Sequence, residues 1–197
     1  MKDETKVVHA GRHPEKFQGA VNPPVYHVST VLSPNLADWE QKKKDAAADR
    51  PGMYYGRHGT PTLAALQEAI TELEGGFRTM LYPSGLAACA GAILSYVKAG
   101  DHVLVSDSSY GPTRRLGTRF LARFGVETVY YDPLAGAGLT KFMTPNTKIV
   151  FAESPGSLTF EVQDVPALAK VAHAGGAKLI VDNTWSGGVF LKPLALG

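Results

Sequence analysis

From Thr60 onward the chain alternates between helical and extended apolar patterns, and this alternation narrows the choice of fold more than any other feature. Thr60 can cap a helix with Pro61 in its first turn, and Leu63, Leu66, Ile70 and Leu73 recur at helical spacing up to Gly75-Gly76. Residues 79–82 read as a short strand that ends at Pro83-Ser84-Gly85, and a small-residue helix follows over about 86–98. Strands are expected at 102–106, 127–131, 148–152 and 178–181, and helices at about 112–124 and 166–174. Strands separated by helices of this length imply right-handed crossovers and a mostly parallel sheet covered on both faces. In such sheets ligands sit outside the carboxyl ends of the strands. That rule selects the turn after Tyr82 and the loops after Ser106, Ala152 and Val181.

The first sixty residues follow a different pattern. They hold Pro14, Pro23, Pro24, Pro34 and Pro51 and one helix-like stretch, about 35–48. This reads as an N-terminal arm over 1–60, of the kind usually stabilised by lying on a neighbouring subunit, ahead of an α/β domain over 61–197.

Composition removes several function classes. Lys+Arg number 20 against Asp+Glu 18, and Lys42, Lys43 and Lys44 are offset by Glu40, Asp45 and Asp49. No basic patch marks a nucleic-acid partner. No window approaches the roughly 18 apolar residues of a membrane span, and the polar first twelve residues lack a signal-peptide core. A cytoplasmic protein is expected. The single cysteine, Cys89, sits among Ala87, Ala88, Ala90 and Gly91, where a small thiol packs well and no base stands beside it in sequence.

Four clusters carry chemistry. In Ser84-Gly85-Leu86-Ala87-Ala88 a turn enters a helix, where free N–H groups and the helix dipole favour an anion; it is also a common tight connection. Asp182 ends the apolar run Leu179-Ile180-Val181, so it can cap the loop Asn183-Thr184-Trp185 or hold a pyridine nitrogen protonated. Tyr110, after the strand that ends at Ser106, can stack on a flat ring or sit as an ordinary amphipathic aromatic. In Tyr54-Tyr55-Gly56-Arg57-His58-Gly59-Thr60, Arg57 offers a fork suited to phosphate and Tyr55 a hydroxyl for phosphate or proton transfer. At the end of the arm, these two residues suit a neighbouring subunit's site. His58 is read as solvent-facing.

In this order and on this scaffold, the four clusters resemble the cystathionine-lyase and -synthase family of fold-type I pyridoxal-phosphate enzymes. The resemblance spans nearly the whole chain. It includes His9-Ala10-Gly11-Arg12, Leu73-Glu74-Gly75-Gly76, Gly100-Asp101-His102-Val103-Leu104 and Asn146-Thr147-Lys148-Ile149-Val150-Phe151, beside Glu153-Ser154-Pro155-Gly156-Ser157 and Asp182-Asn183-Thr184-Trp185. It implies an aminotransferase-like large domain and pyridoxal 5'-phosphate as cofactor. By this likeness Asp182 pairs with the pyridine nitrogen, Tyr110 stacks on the ring, and Gly85 and Leu86 bind the phosphate. Tyr55 and Arg57 reach the phosphate of the adjacent subunit in a homotetramer of tight dimers, and Ser154 lies beside substrate and ring. No metal is implied.

Two departures matter. Many members carry an asparagine near Gly156, whereas this chain reads Ser-Pro-Gly-Ser, similar to the β-eliminating branch. The implied reaction is β-elimination of cystathionine to homocysteine, pyruvate and ammonia. The γ-lyase and γ-synthase activities of the same family are the alternatives, as is a non-catalytic descendant of the fold. The Schiff-base lysine is expected about 25 residues after Asp182, beyond residue 197, so residues 1–197 alone are expected to be inactive. Lys192 matches a different family position.

Overall fold

The computed structural model describes residues 2–197, which fall into two compact units, one ending at Met80 and the other Leu81–Gly197. In the first, helices α1 (Asp3–His9), α2 (Leu36–Ala47) and α3 (Pro61–Glu74) are joined by irregular stretches. Side chains set the helix starts. The Asn35 side chain accepts from the Asp38 N–H at 2.9 Å to open α2, and Thr60 Oγ1 accepts from the Leu63 N–H at 3.4 Å ahead of Pro61 to open α3. Helix α1 packs on α3, although the polar start of the chain reads as part of an extended arm. Asp3 and Glu4 in its first turn and Lys6 and His9 in its last match the helix dipole.

In the second unit, β1 (His102–Ser106), β2 (Glu127–Tyr131), β3 (Thr147–Glu153) and β4 (Lys178–Asp182) form one parallel sheet in the order β2-β1-β3-β4. Around it lie α4 (Gly85–Leu94), α5 (Gly111–Arg115), which continues as a π-helical segment Leu116–Leu121, and α6 (Val165–Ala174). Both faces are buried. Val103, Val105, Ile149 and Phe151 pack with Ile93, Leu121 and Val126, while Leu104, Val150, Ala152 and Tyr131 pack with Leu139, Leu168 and Ala172. Successive side chains alternate between these two layers, which is why the central strands read as unbroken apolar runs. Each such Val, Leu, Ile or Phe contributes on the order of 1.5–3 kcal/mol on burial.

Two expectations change. Residues 79–82 form no strand, because no ladder pairs them among the described residues; the Gln67 amide donates instead to Thr79 O at 2.9 Å. Helix α4 stops at Leu94 rather than near Lys98, where the Ser95 hydroxyl donates back to Gly91 O at 2.7 Å and competes with the ladder.

Candidate active site

The carboxyl ends of the strands gather the chemistry of the second unit. At the entry to α4, Ser84 Oγ accepts from the Ala87 N–H at 3.2 Å, and the first helical bond runs from the Ala88 N–H to Ser84 O at 3.0 Å. The N–H groups of Gly85 and Leu86 therefore precede the ladder and have no acceptor among the described residues. A Cβ at Gly85 would meet nothing within 4 Å, so nothing crowds the turn at that Cα.

One turn further along α4, the Cys89 thiol donates to Asp182 Oδ2 at 3.6 Å. This places the acid of β4 about 6 Å along the helix axis from Gly85. Asp182 Oδ1 accepts from the Thr184 N–H at 3.1 Å and from its hydroxyl at 2.5 Å. The loop-capping role is thus present through Oδ1, while Oδ2 takes the thiol. Burial, followed by the Asp182 charge, pushes the Cys89 thiol up to about 12, so it stays protonated and serves as a donor. In sequence no base stands beside Cys89; the fold brings one from 93 positions away.

Glu153 ends the neighbouring strand in register with Asp182. It is 4% exposed, and its Oε2 accepts from the Tyr110 N–H at 2.7 Å. Burial holds its carboxyl above the usual carboxylate range, the Tyr110 N–H works against this, and the Asp182 charge adds to it. Among the described residues no lysine or arginine forms an ion pair with Glu153 or Asp182. Two acids lie side by side without a cation, next to an open helix N-terminus. Such a site suits a ligand with an anionic group at one end and a protonated ring nitrogen at the other.

The remaining predicted residues are distributed as follows. Tyr110 is 53% exposed and leads into α5. Ser154 is 1% exposed, and its hydroxyl accepts from the Gln163 N–H at 3.0 Å, within a buried polar network beneath the strand ends. Gln163 completes that network by donating to Ser106 Oγ and Glu153 O and accepting from the Tyr131 hydroxyl. Phe160 and Trp185, from the loops after β3 and β4, pack edge to face at 5.0 Å. In the first unit, Tyr55 bridges Thr30, and the Arg57 guanidinium lies 5.1 Å from the Tyr55 ring, with His58 edge-on to the same ring. Gly56 is required there: a Cβ would fall 1.9 Å from Val28 O, across the bond from the Gly56 N–H to Ser29 O. Sequence reading assigned no role to Glu153 or Gln163. Glu153 carries the signal that singled out Asp182, an acid at the end of a buried strand; Gln163 carries none.

A family model described as Cys/Met metabolism PLP-dependent enzyme matches residues 4–197. The chain belongs to this family. As a Cys/Met metabolism PLP-dependent enzyme it is 42% identical over 198 residues to the cystathionine beta-lyase MetC of Escherichia coli K12, covering 98% of this chain and 49% of that protein. It is 37% identical to an L-alanine/L-glutamate racemase of Wolbachia pipientis wMel, over 100% of this chain and 50% of the relative. The crystal structure of cystathionine gamma-lyase from Lactobacillus plantarum complexed with L-serine superposes with a TM-score of 0.86 at 32% identity, covering 100% of this chain and 48% of that one. The chain spans about half the length of the relatives it matches. The family cofactor is pyridoxal 5'-phosphate. The residues present fit it: the Gly85 and Leu86 amides, without an acceptor at the start of α4, suit the phosphate, and the Asp182 carboxylate suits a protonated ring nitrogen. No helix among the described residues is long and apolar enough to cross a membrane.

Proposed function

We propose that the protein carrying this chain is a carbon–sulfur lyase that cleaves cystathionine at its β-carbon, with uptake of water, to homocysteine, pyruvate and ammonia. The observation that carries the reading is Asp182, fixed at the end of β4 one helical turn from the uncommitted amides of Gly85 and Leu86. The choice of β-elimination is supported by the likeness to MetC and by the run Glu153-Ser-Pro-Gly-Ser.

When bound, pyridoxal phosphate supplies an electron sink for negative charge at the substrate α-carbon. The chain's own residues then have separate tasks. Asp182 keeps the ring nitrogen protonated, because an adjacent anion favours the charged form. The Gly85 and Leu86 N–H groups and the dipole of α4 hold the phosphate. Tyr110 covers one face of the ring, and Ser154 keeps the segment beside substrate and ring in place through Gln163. Tyr55 and Arg57 serve the phosphate of a neighbouring subunit, in a homotetramer built from tight dimers, and the Tyr55 hydroxyl assists proton handling. The arm over 1–60 is the part that reaches across.

Product analysis tests the reading. L-cystathionine should give pyruvate and homocysteine in equal amounts. The γ alternative, favoured by the likeness to the Lactobacillus plantarum enzyme, gives 2-oxobutyrate and cysteine instead. Asp182→Asn should lower turnover about a hundredfold or more and alter the absorption of the bound cofactor. Undiminished turnover with an unaltered spectrum would overturn the assignment of Asp182.

A further inference from the structure

We propose that Glu153 is a positioning residue: its carboxyl group holds Tyr110 by the main-chain N–H and so fixes where the Tyr110 ring stands at the carboxyl ends of the strands. The ring does not place itself. Tyr110 is 53% exposed, so the location of its ring follows from the backbone beneath it.

That backbone is held mostly by other main-chain groups. The Asp107 N–H donates to Tyr131 O at 2.9 Å, the Ser109 N–H to Ser106 O at 3.0 Å, and the Ser157 N–H to Ser108 O at 2.8 Å. Tyr110 O accepts the Arg114 N–H at 3.1 Å as α5 begins. The Tyr110 N–H is different: its acceptor is a side chain from 43 positions away, Glu153 Oε2 at 2.7 Å.

Glu153 is a firm anchor. It is the last residue of β3, in register with Asp182 of β4, and its own carbonyl accepts from the Gln163 amide at 2.8 Å. One side chain therefore ties the Tyr110 loop to the strand pair that carries Asp182. A carboxyl oxygen accepts this bond whether or not the group is ionised. Burial disfavours the charge, the Tyr110 N–H favours it and the neighbouring Asp182 disfavours it, and the bond is available in either state.

The inference rests on the proposed function in one respect, that the Tyr110 ring is a surface against which the cofactor ring lies. The test compares Glu153→Gln, which keeps an acceptor, with Glu153→Leu, which removes it, in the cofactor-loaded protein. Amide hydrogen exchange is read over 107–112, the visible circular dichroism of bound pyridoxal phosphate is recorded, and protection of 149–152 serves as the control for an intact sheet. Glu153→Leu should speed exchange over 107–112 about tenfold or more and weaken the cofactor dichroism, while Glu153→Gln restores both. Unchanged exchange and dichroism in Glu153→Leu, or equal damage in both variants, would refute the role. If the unaltered protein takes up no pyridoxal phosphate, the lyase reading falls, and the exchange comparison alone still decides whether Glu153 holds Tyr110.

Discussion

Asp182 is held from two sides by donors of different kinds: Thr184 from its own loop and Cys89 from α4. The thiol can do this because its ionisation is suppressed, chiefly by burial and then by the Asp182 charge. A neutral disulfide reagent is attacked only by the thiolate and releases its other half as a thiolate, so labelling of Cys89 should rise roughly tenfold per pH unit between about pH 8 and 10 without levelling off. A plateau near the ordinary thiol pKa would contradict the suppressed ionisation. The same shift has a stability consequence. A folded pKa raised from 9.0 to about 12 gives stabilisation that is complete below the unfolded value and lost as pH rises through the folded one. Cys89→Ala should therefore lose less stability than the parent between those two values, as read by denaturant midpoints in alkaline buffers.

At the scale of elements, the segment between β3 and α6 fastens the strand ends to one another. Gln163 donates through its amide to Ser106 Oγ at 3.1 Å and Glu153 O at 2.8 Å, accepts from the Tyr131 hydroxyl at 3.1 Å, and donates its N–H to Ser154 Oγ. The loops press closely here: a Cβ at Gly156 would fall 2.6 Å from the Ser108 side chain. Replacing the Gln163 side chain removes three buried hydrogen bonds, to Ser106 Oγ, Glu153 O and the Tyr131 hydroxyl, and each contributes about 0.5–1.5 kcal/mol. Gln163→Leu should therefore destabilise the protein by about 2–4 kcal/mol, with the urea midpoint lowered and the m-value unchanged. A loss below about 0.5 kcal/mol would mean that the network does not hold the strand ends.

For the whole molecule, the proposed division of labour between arm and sheet domain sets a test by mixing. If Arg57 serves a neighbouring subunit while Asp182 serves its own, Arg57→Ala in one chain and Asp182→Asn in the other fall in the same site of a mixed dimer. Each such dimer then carries one site with both defects and one with neither. Unfolding and refolding the two variants together should recover activity well above that of either alone, as followed by pyruvate release. No recovery would place both residues in the site of one chain.

What the sequence determined by itself was local. The four strands lie within a residue of their apolar runs, and Asn35, Thr60 and Ser84 cap helices as their types require. Gly85 and Asp182 were legible because a helix entry and the end of a buried strand are marked by neighbouring residues. Residues 79–82 misled for the complementary reason: extended propensity makes a strand only where another strand supplies hydrogen bonds. The links from Cys89 to Asp182, from Glu153 to Tyr110, and from Gln163 to three strand ends needed the tertiary structure. Each joins residues across a crossover, and no local period records which side chain the folded sheet will bring alongside.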